Sequence, residues 1–425
     1  MGLSSKFSFI AVTFILAAIV AFLSDWVQKI GLLTFPSGFR NLIILFIFLL
    51  NWIFFNRKMT FKIGYKFCVI SISVFLVIAF FFSPATLLNY TLGIIFTFLF
   101  VVIFILGATT KTYPNEIITI FNWLVIFFLF LSVIPVLGGL LSGLSLRFET
   151  VFFRELGAFG SAMNIGTILC ISLFIITSKK KYLYLAVFFS FGILITILKK
   201  SIVSNIIVWL AFFIFNLNSK ARIKLIFYSS IVIAIVYFTF GKDFSENFIE
   251  SSAYLQDTGV QEHVRIGMYI ASFKIATDFF PFGSGMGTFG SLASITAGYS
   301  NIHFIYGVAN IGYNSPEDAA SGMTTILDTY WPHILGELGF IGTLLFLYLW
   351  FFPVRLPLKL IRVAKDPVTK GLSFYIIMTI ITVFWEGFSL YTPEIPSFIL
   401  LHAGLTGLCY FHIARIQNPI NLVSN

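Results

Sequence analysis

Charged residues are scarce in this sequence. Asp, Glu, Lys and Arg make up only 10% of its 425 residues, whereas hydrophobic residues make up 59%. A soluble domain carries roughly 25% charged residues. A water-soluble fold could not bury so much apolar side chain and still keep a wettable surface. The composition therefore excludes an ordinary soluble protein and predicts a membrane protein whose main solvent is the bilayer.

Cysteine is scarce as well. The three cysteines, Cys68, Cys170 and Cys409, lie far apart inside apolar runs and show neither a CxxC pair nor a Cys/His metal spacing. We expect all three to be packing residues rather than disulfide partners or metal ligands.

Long apolar stretches dominate the sequence instead. They recur at lengths of roughly 16 to 22 residues, enough to cross a hydrocarbon core of ~30 Å. They predict an all-α polytopic membrane protein, a single transmembrane domain over residues 1–425 with about twelve spans. The first span is expected to be a retained helix rather than a cleaved signal peptide. The predicted spans are 7–24, 40–56, 67–83, 90–109, 117–137, 161–178, 182–198, 202–217, 225–241, 331–352, 372–390 and 397–414.

The basic residues predict the orientation of these spans. If both termini are cytoplasmic, the inner connections hold 18 of the 27 Lys and Arg residues, as the positive-inside rule requires. The net charge of +10 therefore reflects topology, and we expect no nucleic-acid partner. The same frame places residues 242–330 outside as one long extracytoplasmic loop, which we expect to be the functional element.

The long loop contains two patterns of interest. Residues 264–279 place apolar side chains at helical spacing and predict an amphipathic helix at or near the outer interface. The GxGxxG sequence at Gly285, Gly287 and Gly290 lacks the strand–turn–helix context of a dinucleotide site, so we expect a close-packed turn and no cofactor. His263, His303 and His333 are too widely spaced for a typical zinc site, so no metal is expected.

Ionisable residues at helix ends are the remaining candidates. Lys200 interrupts an apolar series, where it either extends to lipid headgroups or points inward to hold a phosphate. Arg154 lies in an outer connection and could instead pair with a neighbouring glutamate. Glu337 and Glu386 lie in predicted spans near their outer ends, where an ionisable group faces a cavity or a partner. His333 and Glu337 share a helix face, and a structural pair is the more conservative interpretation.

Three segments together resemble the O-antigen polymerase and O-antigen ligase superfamily of bacterial membrane glycosyltransferases. The segment from Arg154 to Asn164 is similar to an Arg-x-x-Gly…Pro-Asn pattern, with Met163 in place of the proline. The segment running from Arg265 and Tyr269 through the glycines at 283–287 is similar to the family's Arg-x-x-x-Trp helix and glycine-rich turn. Lys200 stands where the family has an arginine.

The third segment, residues 328–342, resembles the family's His-Asn-x9-Gly-x-x-Gly signature at the end of the long loop. Asp328 occupies the position of the ligase histidine, and His333 lies five positions later. This departure favours a polymerase over a ligase. The resemblance covers residues 150–345 most closely and implies a GT-C-like membrane fold.

The resemblance implies a substrate and a set of site residues. The substrate is a glycan linked to undecaprenyl diphosphate, used at the periplasmic face of the bacterial inner membrane, and a chain-length regulator protein is an implied partner. Cations would stabilise the departing diphosphate. The implied catalytic residues are Arg265, with Asp328 and then Glu337 as candidate bases, and the implied substrate-binding residues are Lys200, Arg154, Tyr269, Tyr330 and His333.

These inferences predict a metal-independent enzyme that polymerises lipid-diphosphate-linked oligosaccharide repeat units into O-antigen, capsular or exopolysaccharide. One alternative is a ligase that transfers glycan to lipid A-core. An alternative of another class is a polysaccharide transporter or lipid flippase without chemistry, for which inverted repeats or paired broken helices would be expected.

Overall fold

The computed structural model describes residues 11–17, 39–55, 63–141, 156–196, 199–216, 264–296, 298–310, 314–321, 324, 326–388 and 399–417. Within these ranges the chain forms helices and turns and contains no β-strand. The prediction of an all-α fold is therefore confirmed for the described part of the chain.

Thirteen longer elements, all helical, run in chain order between short connections or segments outside the described ranges. They are α1 (11–17), α2 (Phe39–Phe55), α3 (Ile63–Phe82), α4 (Leu87–Thr109), α5 (Pro114–Leu141), α6 (Leu156–Thr177), α7 (Lys180–Thr196), α8 (Lys199–Asn216), α9 (Val264–Asp278), α13 (Trp331–Phe351), α14 (Arg355–Val363), α15 (Pro367–Glu386) and α16 (Thr406–Gln417). Three short helices lie between α9 and α13: α10 (Ala293–Thr296), α11 (Asn301–Ile305) and α12 (Pro316–Ser321). A π-helix, Ile399–Leu405, leads into α16.

Six of these segments are long and apolar enough to cross a membrane. They are Tyr65–Phe82, Leu87–Thr109, Pro114–Ser132, Gly160–Thr177, Trp331–Val363 and Pro367–Glu386. Each overlaps a span predicted from the sequence, although Trp331–Val363 extends beyond the predicted span 331–352. Leu45–Phe54 and Lys200–Asn216 are shorter apolar helices. The predicted span 225–241 lies outside the described residues, and the count of twelve stays a prediction.

The helices carry apolar side chains on both their inner and outer faces, as a bilayer environment requires. On α3, Cys68 and Ile72 are buried against the bundle, whereas Phe67, Ile70 and Phe81 are largely exposed. A soluble helix would carry polar residues on that outer face. The exposed face of α3 is instead apolar, and its length and composition are those of a membrane-spanning helix. Cys170 and Cys409 are buried free thiols like Cys68, so the prediction that the cysteines are packing residues is confirmed.

Glycines allow α4 to approach the π-helix and α16 closely. A Cβ atom at Gly107 would lie 2.6 Å from the carbonyl oxygen of Gly404, and one at Gly407 would lie 2.5 Å from that of Phe104. Contact of small residues across helices is a common way of packing in membranes, where apolar side chains gain little by leaving lipid. This contact holds the π-helix and α16 against α4.

The helix ends gather in two layers. In one layer the end of α3 contacts the glycine-rich segment after α9, with Ser83 Oγ donating to Ser284 O at 2.8 Å. In the other layer the start of α3 contacts the end of α13, where the rings of Tyr65 and Phe352 are 4.3 Å apart. Exposed cations mark this second layer: Lys66, Lys180, Arg355, Arg362 and Arg415.

The predicted long loop is described only in part, because residues 242–263 lie outside the described ranges. Helix α9 begins and ends where the sequence predicted a helix. Its packing face differs from the predicted apolar stripe: Gly267, Ala271, Ser272 and Ala276 are buried, whereas Ile270 and Phe273 are exposed. Small side chains let α9 lie close to α13. Of the larger apolar side chains, Met268 and Ile275 are buried with them, whereas Ile270 and Phe273 lie outside.

Candidate functional site

The C-terminal end of α15 is where the predicted site residues meet. Three successive residues there, Glu386, Gly387 and Phe388, each contact a different part of the chain. Asn164 Nδ2 donates to Glu386 Oε1 at 3.2 Å, and Tyr330 N donates to Gly387 O at 2.9 Å. The hydroxyl of Tyr269 donates to Phe388 O at 3.1 Å. Helices α6, α9 and α13 are therefore joined at one point.

A buried amide and carboxylate cluster forms the first part of the site. Asn164 on α6 and Glu386 on α15 are both almost fully buried. Asn164 Nδ2 also donates to Ser201 O at 3.1 Å, and Asn205 Nδ2 donates to Asn164 Oδ1 at 3.3 Å. The Ser161 hydroxyl bonds to the Glu386 carboxylate as well. These bonds connect three helices in an apolar surrounding, where an unsatisfied polar group would be costly.

Lys200 belongs to this cluster. It lies in the first turn of α8, is partly buried, and is close enough to interact electrostatically with Glu386. A cation at a helix N-terminus is opposed by the helix dipole, so a neighbouring carboxylate stabilises it there. Lys200 therefore interacts with Glu386, and its two interpretations, contact with lipid headgroups and phosphate binding, stay predictions.

Helix α9 supplies the second part of the site. The ring of Tyr269 lies parallel to that of Phe388, with centroids 6.4 Å apart. Burial raises the pKa of Tyr269, and the nearby Arg265 guanidinium opposes that shift. Arg265 lies one turn before Tyr269 and is exposed. An exposed guanidinium beside a half-buried phenol can meet an anionic ligand that approaches from outside the bundle.

The start of α13 forms the buried side of the site. Tyr330 is fully buried, and its ring meets that of His333 edge to face at 4.7 Å. Trp331 Nε1 donates to Phe384 O at 2.9 Å, which fixes α13 to α15. Tyr330 and His333 are thus held inside the fold rather than presented on its surface.

Helix α13 is broken at Gly339, whose φ of 63° and ψ of −172° are not helical. At the break the carbonyls of Gly336 and Glu337 accept from Ser284 N at 2.9 Å and Gly285 N at 3.0 Å. The glycine-rich segment thus supplies donors at the point where the helix is interrupted. A break within a membrane helix is tolerated when such partners are provided.

The predicted close-packed turn of the GxGxxG segment is confirmed. Gly283, Gly285, Gly287 and Gly290 all have a φ between 70° and 91°, a conformation that favours glycine. The turn lies between helices: a Cβ at Gly283 would lie 2.4 Å from the amide nitrogen of Gly339 on α13, and one at Gly287 would lie 2.1 Å from the carbonyl oxygen of Asn89 on α4. Glycine is required here by close backbone approach as well as by φ.

Glu337 connects this turn to α13. Its side chain is fully buried, and Oε1 accepts from Phe289 N at 2.9 Å and from Ser291 Oγ at 2.6 Å. The amide of Gly287 and the imidazole of His333 also interact with this carboxylate. The carboxylate therefore holds the turn in place by accepting from the amide of Phe289 and the hydroxyl of Ser291. Its burial separates it from any ligand on the surface.

His303 is held on the other side of the turn. Its Nε2 accepts from Gly290 N at 3.2 Å, between the rings of Phe289 and Tyr299. Burial lowers the pKa of His303 to about 4, so the ring is neutral and can accept this bond at physiological pH. Among the described residues, no group of three His, Cys, Asp or Glu side chains is placed to hold a metal ion.

The predicted residues thus divide into three groups. Tyr269, Tyr330 and Lys200 are brought to the end of α15, with Arg265 adjacent to Tyr269. His333 and Glu337 lie deeper, against the turn. Arg154 lies outside the described residues, and for Asp328 the backbone of a 3-10 turn is described but not the side chain.

Sequence reasoning missed the polar network around Asn164 and the role of Ser291. Asn164 and Glu386 are 222 positions apart, and no local pattern links them. The signal available was the presence of both polar residues in otherwise apolar helices, since such residues need partners inside a membrane. Ser291 follows the glycine turn directly and carries no signal of its own.

In comparisons with known proteins, no protein-family model matches the chain, and no curated protein matches it.

Proposed function

We propose that this protein is a membrane glycosyltransferase that polymerises undecaprenyl-diphosphate-linked oligosaccharide repeat units. The observation that carries the proposal is the meeting of three helices at Glu386, Gly387 and Phe388. Cationic and aromatic residues that lie far apart in the sequence gather there, at one end of a bundle of apolar helices. Such an end suits a substrate that combines a lipid tail, a diphosphate and a sugar chain.

Electrostatics supports transfer from a lipid diphosphate. When the glycosyl–phosphate bond breaks, negative charge grows on the departing diphosphate, and cations fixed nearby stabilise that charge. Arg265 is exposed on α9 and can bind phosphate oxygens through two parallel hydrogen bonds. Lys200, held near Glu386, is a second cation. We assign leaving-group stabilisation to Arg265 and diphosphate binding to Lys200, with Arg154 as a third contact.

The acceptor hydroxyl needs a base, and a carboxylate can serve. Asp328 is our candidate, since it lies two residues before Tyr330 and three before the start of α13. Glu337 was the second candidate from the sequence. Its full burial and its bonds to Phe289 N and Ser291 Oγ favour a positioning role, in which it holds the turn and the start of α13.

The distribution of charge supports an orientation. The layer opposite the site carries the exposed cations Lys66, Lys180, Arg355, Arg362 and Arg415. By the positive-inside rule this layer is cytoplasmic, so the site faces the periplasm and both termini are cytoplasmic. The exposed apolar faces meet the lipid bilayer of the inner membrane. Product length would then depend on a separate regulator protein.

The test is a reconstitution with a defined substrate. The purified protein is incubated with lipid-diphosphate-linked repeat units, and the products are separated by size. A ladder of multiples of the repeat unit supports the polymerase. Transfer of a single glycan only to lipid A-core supports a ligase, and unchanged substrate that has crossed a proteoliposome membrane supports a transporter. Either of the last two results overturns the proposal.

A further inference from the structure

A small cavity lies away from the proposed site, between α3, α4, α13, α15 and the π-helix. It has a volume of about 20 Å³, and its lining includes Tyr65, Phe104, Trp350, His402 and Thr406. A cavity of at least about 10–15 Å³, measured with a water-sized probe, can hold one water molecule. The space is therefore large enough for one water molecule.

Two polar atoms in the wall of this cavity lack a partner among the described residues. They are the indole Nε1 of Trp350 and the hydroxyl of Thr406. Trp350 is 3% exposed and Thr406 is 1% exposed. Buried donors of this kind are almost always paired, with protein or with ordered water. Trp350 also lies in a candidate membrane span, where bulk water cannot reach it.

We propose that this cavity is a binding site for one internal water molecule, which accepts a hydrogen bond from Trp350 Nε1 and bonds to the Thr406 hydroxyl. The molecule would join α13 to α16 at the point where the π-helix ends. His402 completes the wall, with its ring 5.6 Å from that of Trp350. A buried water usually makes about three hydrogen bonds, and the Trp350 indole and the Thr406 hydroxyl supply two of its partners.

The chemistry of the wall excludes other small ligands. The indole N–H only donates, so the ligand must be an acceptor, and a metal cation or ammonium ion would be repelled by that donor. No carboxylate is among the residues that line the cavity, and aromatic and aliphatic side chains form most of the wall. An ion would be costly in such an apolar wall, whereas a neutral water molecule can accept from the indole and bond to the hydroxyl.

Radiolytic footprinting tests the proposal directly in the intact protein. X-ray pulses produce hydroxyl radicals from bound water as well as from bulk water, and mass spectrometry then locates oxidised side chains. Trp331 is the internal control, because it is 7% exposed, lies on the same helix and donates to Phe384 O. We expect Trp350 to be oxidised several-fold faster than Trp331. The variant Ala403→Val, which fills the cavity wall, should remove this difference. Equal, slow oxidation of both tryptophans in the native protein would overturn the proposal.

A thermodynamic cycle gives a second test. Trp350→Phe, Thr406→Val and the double variant are compared by apparent melting temperature. A shared water predicts that each single variant melts lower and that the double variant melts no lower than the worse single one, because both groups act through one molecule. A dry cavity predicts that Thr406→Val raises the melting temperature, since an unpaired hydroxyl is removed. Fully additive losses mean separate partners. Either of these two results contradicts the proposal.

Discussion

Substitutions of Glu337 distinguish a carboxylate that positions the turn from a carboxylate that acts as a catalytic base. In Glu337→Gln the side-chain oxygen is retained and can still accept from Phe289 N and Ser291 Oγ. In Glu337→Leu both donors are left unpaired in a buried position. An unsatisfied buried donor costs about 1–3 kcal/mol, so the leucine variant should lose about 2–6 kcal/mol of stability. The glutamine variant loses only the charge of the acceptor, at about 1–2 kcal/mol.

Activity distinguishes the two roles more sharply than stability does. Removing a general base lowers the rate by about 10²–10⁴-fold. A positioning carboxylate predicts that Glu337→Gln keeps chain-extension activity within about tenfold of the native protein, while Glu337→Leu loses activity together with thermal stability. Both are measured on purified protein, by product ladder and by thermal unfolding in detergent. Loss of all activity in Glu337→Gln at native melting temperature would refute the positioning role and restore Glu337 as a base.

Three further predictions concern the groups around the site. Because burial lowers the pKa of His303 to about 4, the unfolded chain binds the proton first as pH falls. The contribution of His303 to the free energy of unfolding is then full above about pH 6.5 and declines towards pH 4 by about 3 kcal/mol. Denaturation measured across this pH range should show the decline, and the His303→Gln variant should show a smaller one. Asn164→Ala should cost about 2–4 kcal/mol by leaving a buried carboxylate under-bonded, whereas Asn216→Ala, at a helix end, should cost less than about 1 kcal/mol; equal melting temperatures would contradict this. Gly283→Ala should prevent stable folding, as its Cβ would meet the α13 backbone at 2.4 Å, while Gly298→Ala, with nothing within 4 Å, should cost about 1–2 kcal/mol of backbone strain; similar expression and melting of the two variants would disprove the close approach.

The membrane helices could be predicted from the sequence because the bilayer imposes a length and a composition on each one. Six predicted spans coincide with the candidate spans of the structure. The glycine-rich turn was also predictable. A GxGxxG sequence without a preceding strand lacks the context of a dinucleotide-binding site, and repeated glycines indicate positive φ angles. The start and end of α9 followed from helical periodicity.

The packing face of α9 could not be predicted from the same periodicity. Hydrophobic spacing identifies which residues share a face but assumes that the apolar face is the buried one. In a membrane protein both faces can be apolar, and small residues pack against neighbouring helices. Gly267 and Ala271 are therefore inside, and Phe273 is outside.

The site could be predicted only as a set of isolated residues. The sequence singles out Lys200 by its place in an apolar series, and the family resemblance implies Arg265, Tyr269 and Tyr330. The meeting of Lys200, Tyr269 and Tyr330 at the end of α15 depends on contacts between helices far apart in the chain. Glu337 and Lys200 illustrate the limit. Both are ionisable residues near a helix end, and only burial and hydrogen bonding distinguish the carboxylate that holds a turn from the cation that we propose to bind the diphosphate.

The central claim is most directly tested by chain extension in the Arg265→Ala variant, with Lys274→Ala as the matched control. Both cations are exposed on α9, but Lys274 lies nine residues further along the helix, about 13 Å away. The proposal predicts that the Arg265→Ala protein inserts and melts normally yet makes no ladder from lipid-diphosphate repeat units, whereas Lys274→Ala makes the native ladder. Polysaccharide of normal length from Arg265→Ala would contradict the proposal.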